Sequence, residues 1–163
     1  MSLRYILIIT VGVFLISCES NNVEEEKYKI VAQTSNWKEP ENPRKFFYQT
    51  LQIIKEKDTT SYIYIIDSVY DVMNDTSYIR ETANIIRLVN DSILILEKND
   101  TLQFKYTDKR ILAKDTIQCM IFEPQMISAD GLFEFAFNRK IGVIEEKGGW
   151  NTYFKILQIE RID

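Results

Sequence analysis

The chain is rich in side chains that favour β-strands and poor in those that favour helices. It contains 24 Ile but only 5 Ala in 163 residues, together with 9 Tyr and 9 Phe. β-branched and aromatic side chains fit the pleated, half-buried surface of a sheet, whereas Ala is the strongest helix former. The composition therefore predicts a chain that is nearly all β.

Alternation along several segments supports this prediction. Phe133, Phe135 and Phe137 share one face of an extended segment, and Glu134 lies on the other. Residues 62–65 and 93–96 are apolar or aromatic at every position, which is typical of strands that are covered on both faces or closed around an interior.

Polar pairs predict tight turns between short strands. Asn90-Asp91, Asn99-Asp100 and Asp108-Lys109 are spaced nine residues apart. Asn and Asp tolerate the left-handed backbone conformation that two-residue hairpin turns require. Further turns are predicted at 138–140 and 148–149, before a last strand near 152–160. We expect an antiparallel meander of about 8–10 strands that forms a small barrel or a sandwich.

The segment 43–57 is compatible with two structures. Asn42-Pro43 is a suitable start for a helix that carries Phe47, Leu51 and Ile54 on one stripe. The same residues also alternate acceptably as a strand, so we expect a strand here and at most one short helix in the chain. Residues 37–44 contain two of the three prolines and predict a loop.

The absence of histidine and the acidic balance exclude several functions. The chain has 24 Asp+Glu, 20 Lys+Arg and no His, which gives a formal net charge of −4. A histidine-dependent triad, a histidine general base or a histidine-containing metal site cannot form. Phosphate binding needs clustered Lys and Arg, which argues against a nucleic-acid partner. We predict no enzyme activity, no metal and no non-covalent cofactor.

The first residues are typical of a bacterial signal peptide. Arg4 precedes an apolar run at 6–16 that is interrupted only by Thr10 and Gly12. Eleven residues are roughly half of the ~20 that a membrane-spanning helix needs. The run ends in Leu15-Ile16-Ser17-Cys18, which resembles the lipobox of bacterial lipoproteins. The alternative is an ordinary cleaved signal or a short membrane anchor.

The lipobox resemblance implies a covalent lipid anchor. In that family the Cys thiol receives a diacylglyceryl group, the chain is cut before the Cys, and the new amine is usually acylated. Cys18 would then carry both lipids and hold the protein at the outer membrane, on its periplasmic or surface face. Residues 133–146, which include Gly142, are also similar to the closing hairpin of small uncharacterised Bacteroidota-type lipoproteins.

The resemblance divides the chain into three parts: a signal peptide at 1–17, a lipidated Cys and acidic tether at 18–27, and a single β domain at 28–163. The acidic run Glu24-Glu25-Glu26 is either a solvated spacer or a surface-export signal of the kind that Bacteroidota-type lipoproteins use.

Candidate chemistry in the domain is sparse. Once Cys18 is committed to lipid, Cys119 has no intramolecular disulfide partner, and its neighbours predict a strand on which it is a small buried hydrophobe. A catalytic thiolate would need a base or an electropositive setting. The adjacent carboxylates Glu145 and Glu146 would face opposite sides of a strand and make a poor catalytic pair.

Two tryptophans are the candidates for ligand or partner contact. Trp37 lies in the Pro-rich segment and Trp150 follows two glycines, both at turn-like positions. The alternative is that they pack over the end of a barrel. The sequence favours a membrane-anchored, non-catalytic interaction or scaffold module with an envelope protein partner. The alternative is a carrier for a lipid or other apolar ligand inside a β-barrel or clam-like sheet.

Overall fold

The computed structural model is a closed antiparallel β-barrel of ten strands. It describes residues 24–36, 38–96, 100–124, 132–148 and 152–162, except for the side chains of residues 80, 81, 132 and 133. Consecutive strands are neighbours throughout, and β1 pairs with β10 to close the barrel. The strands are β1 Glu24–Asn36, β2 Glu39–Lys55, β3 Thr59–Asp71, β4 Thr76–Val89, β5 Ile93–Ile95, β6 Thr101–Leu112, β7 Asp115–Pro124, β8 Leu132–Asn138, β9 Gly142–Gly148 and β10 Thr152–Ile162.

The predicted all-β meander is confirmed, and of the two architectures left open it is the barrel. The segment 43–57 is a strand, since β2 extends to Lys55. Alternate side chains of β2, among them Leu51 and Ile53, are fully buried in the interior, where they lie beside Tyr64 and Tyr62 of β3. Side chains alternate between the two faces of a strand, and this alternation places Leu51 and Ile53 on the buried face. The segment therefore forms a strand and not a helix.

Two local predictions were wrong. Residues 39–44 are not a loop but the first part of β2. The described strand partner of this part is β1, through irregular register around Ser35, and the Arg44 carbonyl also accepts the Val72 N–H. Proline is tolerated at such an edge because no ladder bond needs its missing N–H. The turn predicted at Asp108-Lys109 is also absent: β6 continues to Leu112, and the chain reverses at Ala113, whose φ is 55°.

The end of the predicted tether belongs to the barrel. β1 begins at Glu24, so residues 24–27 pair with the last residues of β2 instead of forming a spacer. Lys55 Nζ lies 2.8 Å from a carboxylate oxygen of Glu26 and 3.4 Å from one of Glu24. Cross-strand pairing of opposite charges explains why these acidic residues are ordered in a strand.

Two tyrosines of β3 cross the barrel interior and bind the β8–β9 hairpin on the far side. The Tyr62 hydroxyl donates to the Arg139 carbonyl at 2.5 Å, and the Tyr64 hydroxyl accepts the Val143 N–H at 2.7 Å. The Tyr62 ring also packs edge-on against Phe137, with ring centroids 4.8 Å apart. These contacts fill the middle of the barrel and tie opposite walls together.

The close approach of Tyr64 requires glycine at position 142. Gly142 has a φ of 78°, in the left-handed region that L residues rarely adopt. A Cβ atom at this position would also collide with the Tyr64 hydroxyl. Both the backbone conformation and the space available therefore exclude a side chain.

We predict that Gly142→Ala lowers the free energy of unfolding by at least about 2 kcal/mol, because a left-handed L residue costs ~1–2 kcal/mol and the methyl group displaces Tyr64. Urea denaturation followed by tyrosine fluorescence measures the change. Gly148→Ala is the matched control, since the nearest side-chain atom to its Cβ would be 3.7 Å away, at ordinary contact distance. Equal destabilisation by the two variants would contradict this explanation.

Candidate functional site

A cavity of about 490 Å³ opens into the barrel between β3, β4 and β9. Buried side chains form its floor, including Gln49, Tyr64 and Val143, and exposed residues of β4 form its rim. We call it the Glu146 cavity, and its lining is Phe47, Gln49, Tyr64, Ile66, Thr82, Ala83, Asn84, Ile86, Val143, Glu146 and Phe154.

The barrel wall is incomplete beside this cavity. β5 is only three residues long, and β4 pairs with it only at residues 87–89. Within the part of the chain that the structure describes, the edge of β4 from Thr76 to Ile86 therefore has no second strand partner. Three of the lining residues, Thr82, Ala83 and Asn84, lie on this edge. The short β5 thus leaves the cavity accessible from outside.

Glu146 places a carboxyl group inside the barrel. Its cross-strand neighbours are Phe135 on β8 and Phe154 on β10, so the residue belongs to an interior row of mainly aromatic side chains. No described residue donates a hydrogen bond to this carboxyl or forms an ion pair with it. Burial raises its pKa above the usual range, because the charged form loses solvation without gaining a partner.

The adjacent Glu145 lies on the other face of the sheet, where it is buried and forms an ion pair. Its carboxylate lies 3.2 Å from Arg110 Nε, and the same guanidinium contacts Glu134 at 2.7 Å. Burial alone would raise the pKa of Glu134, but hydrogen bonds from Lys147 and Arg110 outweigh it and hold the pKa below its usual range. The two consecutive glutamates thus face opposite sides, as the alternation predicts, and among the described residues only Glu145 has an ion-pair partner.

A second cavity of about 420 Å³ lies at the other end of the barrel, where β1 begins. Charged side chains line it, but many of them neutralise each other. Lys55 pairs with Glu26, and Arg139 lies 3.3 Å from Asp91. The Tyr62 and Tyr64 side chains separate this cavity from the Glu146 cavity, so the barrel interior is divided into two ends.

Of the cysteines and tryptophans that the sequence analysis singled out, the structure describes only Cys119. Cys18, Trp37 and Trp150 lie outside the described residues. The residues that flank the two tryptophan-containing connections, Asn36 and Thr152, pair directly with each other. Cys119 is a free, buried thiol on β7, as predicted, and burial raises its pKa to about 11. A thiol in this state is a poor nucleophile at neutral pH.

Comparison with known proteins yields no relative: no protein-family model, no curated protein and no solved structure matches the chain. Among the residues that the structure describes, no group of three or more Cys, Asp or Glu side chains is placed to hold a metal ion. That part of the chain also contains no helix of sufficient length and apolar character to span a membrane.

Sequence reasoning missed Glu146 as a candidate binding residue. The sequence analysis considered Glu146 only together with Glu145, as a possible catalytic pair of carboxylates. The signal that was available is the alternation of β9, which places one of two adjacent glutamates inside any closed barrel. Which of the two faces inward depends on the register between β8 and β9, and a bulge beside Phe137 sets that register.

We predict that Glu146→Gln raises the free energy of unfolding at pH 7.5 by about 1 kcal/mol, since it removes a carboxylate that is partly buried and has no partner among the described residues. The raised pKa means that the folded protein holds the proton more tightly, so wild-type stability falls as pH rises from the ordinary value of 4.5 through the folded pKa. The gain should therefore vanish at pH 4 and below.

Urea titrations of both proteins at the two pH values measure this difference. Glu145→Gln is the neighbouring control and should destabilise the protein at pH 7.5, because it removes the Arg110 ion pair. A Glu146→Gln effect that does not depend on pH would show that the carboxyl is not titrating inside the cavity.

Proposed function

We propose that this chain is a non-catalytic binding protein of the cell envelope that holds a small polar ligand in the Glu146 cavity. The observation that carries the proposal is an accessible cavity of about 490 Å³ whose inward-facing carboxyl has no partner among the described residues. The volume lies within the range of small-molecule sites. An unpartnered carboxyl costs stability, and such a cost is typical of a residue retained for binding.

The shape of the interior favours a compact ligand over a long acyl chain. A lipid carrier needs a continuous apolar tunnel, but Tyr62, Tyr64 and Phe137 fill the middle of this barrel. The Gln49 and Asn84 amides add further polar groups to the cavity lining. The proposal therefore keeps the carrier function that the fold permits and replaces the lipid by a smaller, polar molecule.

The envelope location in this proposal rests on the lipobox at 15–18. β1 begins six residues after Cys18, so a lipid on that residue would hold the Glu24 end of the barrel close to the membrane surface. The Glu146 cavity lies toward the opposite end, because Phe154 beside Glu146 pairs with Thr34, ten residues along β1. At ~3.4 Å per residue the cavity opens well away from the bilayer.

An interaction module is a second candidate, and one exposed surface favours it. The β3–β4 hairpin carries four exposed large apolar residues: Val72, Met73, Tyr78 and Ile79. Ile79 is 78% exposed and lies on the part of the β4 edge that has no second strand partner among the described residues. Exposed apolar side chains beside free backbone groups are typical of a surface that pairs with another chain.

We predict that the full chain, extracted from the membranes of the cells that produce it, carries a bound small molecule. Native mass spectrometry should detect an added mass of several hundred daltons that is lost on denaturation. Asn84→Trp places a bulky ring at the exposed rim and should abolish the added mass, whereas Asn74→Trp, in the distant β3–β4 turn, should not. An unliganded mass for the wild-type protein would contradict the proposal.

We also predict that Cys18 is lipidated. Cells labelled with radioactive palmitate should incorporate label into the wild-type chain, and Cys18→Ala should remove both the label and the membrane association. Cys119→Ala is the control that should retain both. Label that remains in Cys18→Ala would show that the chain is not a lipoprotein of this type.

A further inference from the structure

The Glu146 cavity has a marked charge asymmetry. Its lining contains one carboxyl group and no Lys or Arg side chain among the described residues. The other titratable group in the described lining is the Tyr64 hydroxyl, whose pKa is raised by burial and which is therefore neutral at physiological pH. Glu145, Lys147 and Lys155 face the other side of the sheet. An anionic ligand would meet only repulsion from Glu146.

The opposite end of the barrel provides an internal comparison. Two cationic side chains there have a carboxylate within ion-pair distance: Lys55 with Glu26 and Arg139 with Asp91. On the outer face, Glu134 and Glu145 share Arg110. Glu146 is the inward-facing carboxylate that the described residues leave without a cation. A positively charged group is therefore the missing electrostatic complement.

The rest of the lining indicates which kind of molecule would carry the positive charge. Phe47, Phe154 and Ile86 supply apolar surface around the carboxyl, while Gln49 lies on the buried floor. Beside these walls lie the polar side chains of Gln49, Thr82 and Asn84. A lining that combines apolar walls with a small number of polar groups is typical of sites that orient an organic ligand by one charged end. An inorganic cation would gain nothing from the apolar walls, and among the described residues no group of three or more carboxylates or thiols is placed to hold one.

We propose that the Glu146 cavity binds an organic ammonium compound, with a primary amine against the Glu146 carboxylate and an apolar or aromatic body against Phe47 and Phe154. This inference rests on the proposed function and names the class of ligand for that site. Binding is a proton exchange where the carboxyl is protonated: the ammonium group enters, the carboxylic acid ionises, and one proton leaves to solvent.

Phenethylammonium and phenethyl alcohol are suitable probes, because they share an aromatic body and differ in charge. In isothermal titration calorimetry at pH 7 we expect the full-length protein to bind the ammonium at least about ten-fold more tightly than the alcohol, a difference of ~1.4 kcal/mol. Glu146→Gln should abolish this preference. The exposed Glu56→Gln is the charge-matched control and should retain it.

A second readout separates ion pairing from a general change in the cavity. For the wild-type protein near the raised pKa, titrations in two buffers of different ionisation enthalpy should reveal proton release on binding of phenethylammonium. Glu146→Gln should release none. Equal affinity for the two probes, no saturable binding of either at millimolar concentration, or an unchanged preference in Glu146→Gln would overturn the inference.

The two proposals fail in different ways. A co-purifying small molecule without any preference for ammonium would leave the binding function standing and remove the cationic ligand class. An unliganded native protein that nevertheless prefers phenethylammonium would support the charge argument, but it would remove the claim that the protein carries a ligand in the cell.

Discussion

The hydrogen bond from the Val143 N–H to the Tyr64 hydroxyl holds this barrel together across its interior. It is 2.7 Å long and fully buried, and it joins β3 to β9, strands that are four positions apart around the barrel. A buried N–H without an acceptor would cost ~1–3 kcal/mol, so the tyrosine is needed once the hairpin has this position. Gly142 makes the approach possible because it has no Cβ.

The pair Tyr62 and Tyr64 also determines where the protein can bind anything. Their rings occupy the middle of the barrel, which leaves one cavity at each end. At the Glu24 end, opposite charges pair with one another, whereas at the other end Glu146 lies among aromatic side chains and has no partner in the described part of the chain. The difference follows from what the cross-strand neighbours are: Glu146 lies between Phe135 and Phe154, neither of which can neutralise a carboxylate.

Local sequence signals predicted the turns at which the backbone must adopt a positive φ. Asn90 and Asp91 both have positive φ, at 47° and 56°, as a polar pair at a tight turn should. The same reasoning failed at Asp108-Lys109. There, Arg110 is tied to Glu134 and Glu145 on other strands, so contacts distant in sequence keep β6 extended. Pro40 and Pro43 led to the wrong prediction of a loop. A strand that has one partner tolerates proline, and the number of partners is also set by contacts distant in sequence.

The sequence by itself determined that the chain is a β meander, because side-chain alternation and β-branched composition act locally along the backbone. It also indicated that adjacent glutamates in β9 face opposite sides. Only the tertiary structure decided on a barrel over a sandwich, since closure depends on β1 meeting β10, more than a hundred residues apart. It also decided that Glu146 faces inward and that none of the described residues pairs with it, because register, bulges and the length of β5 are set by contacts between strands and not within them.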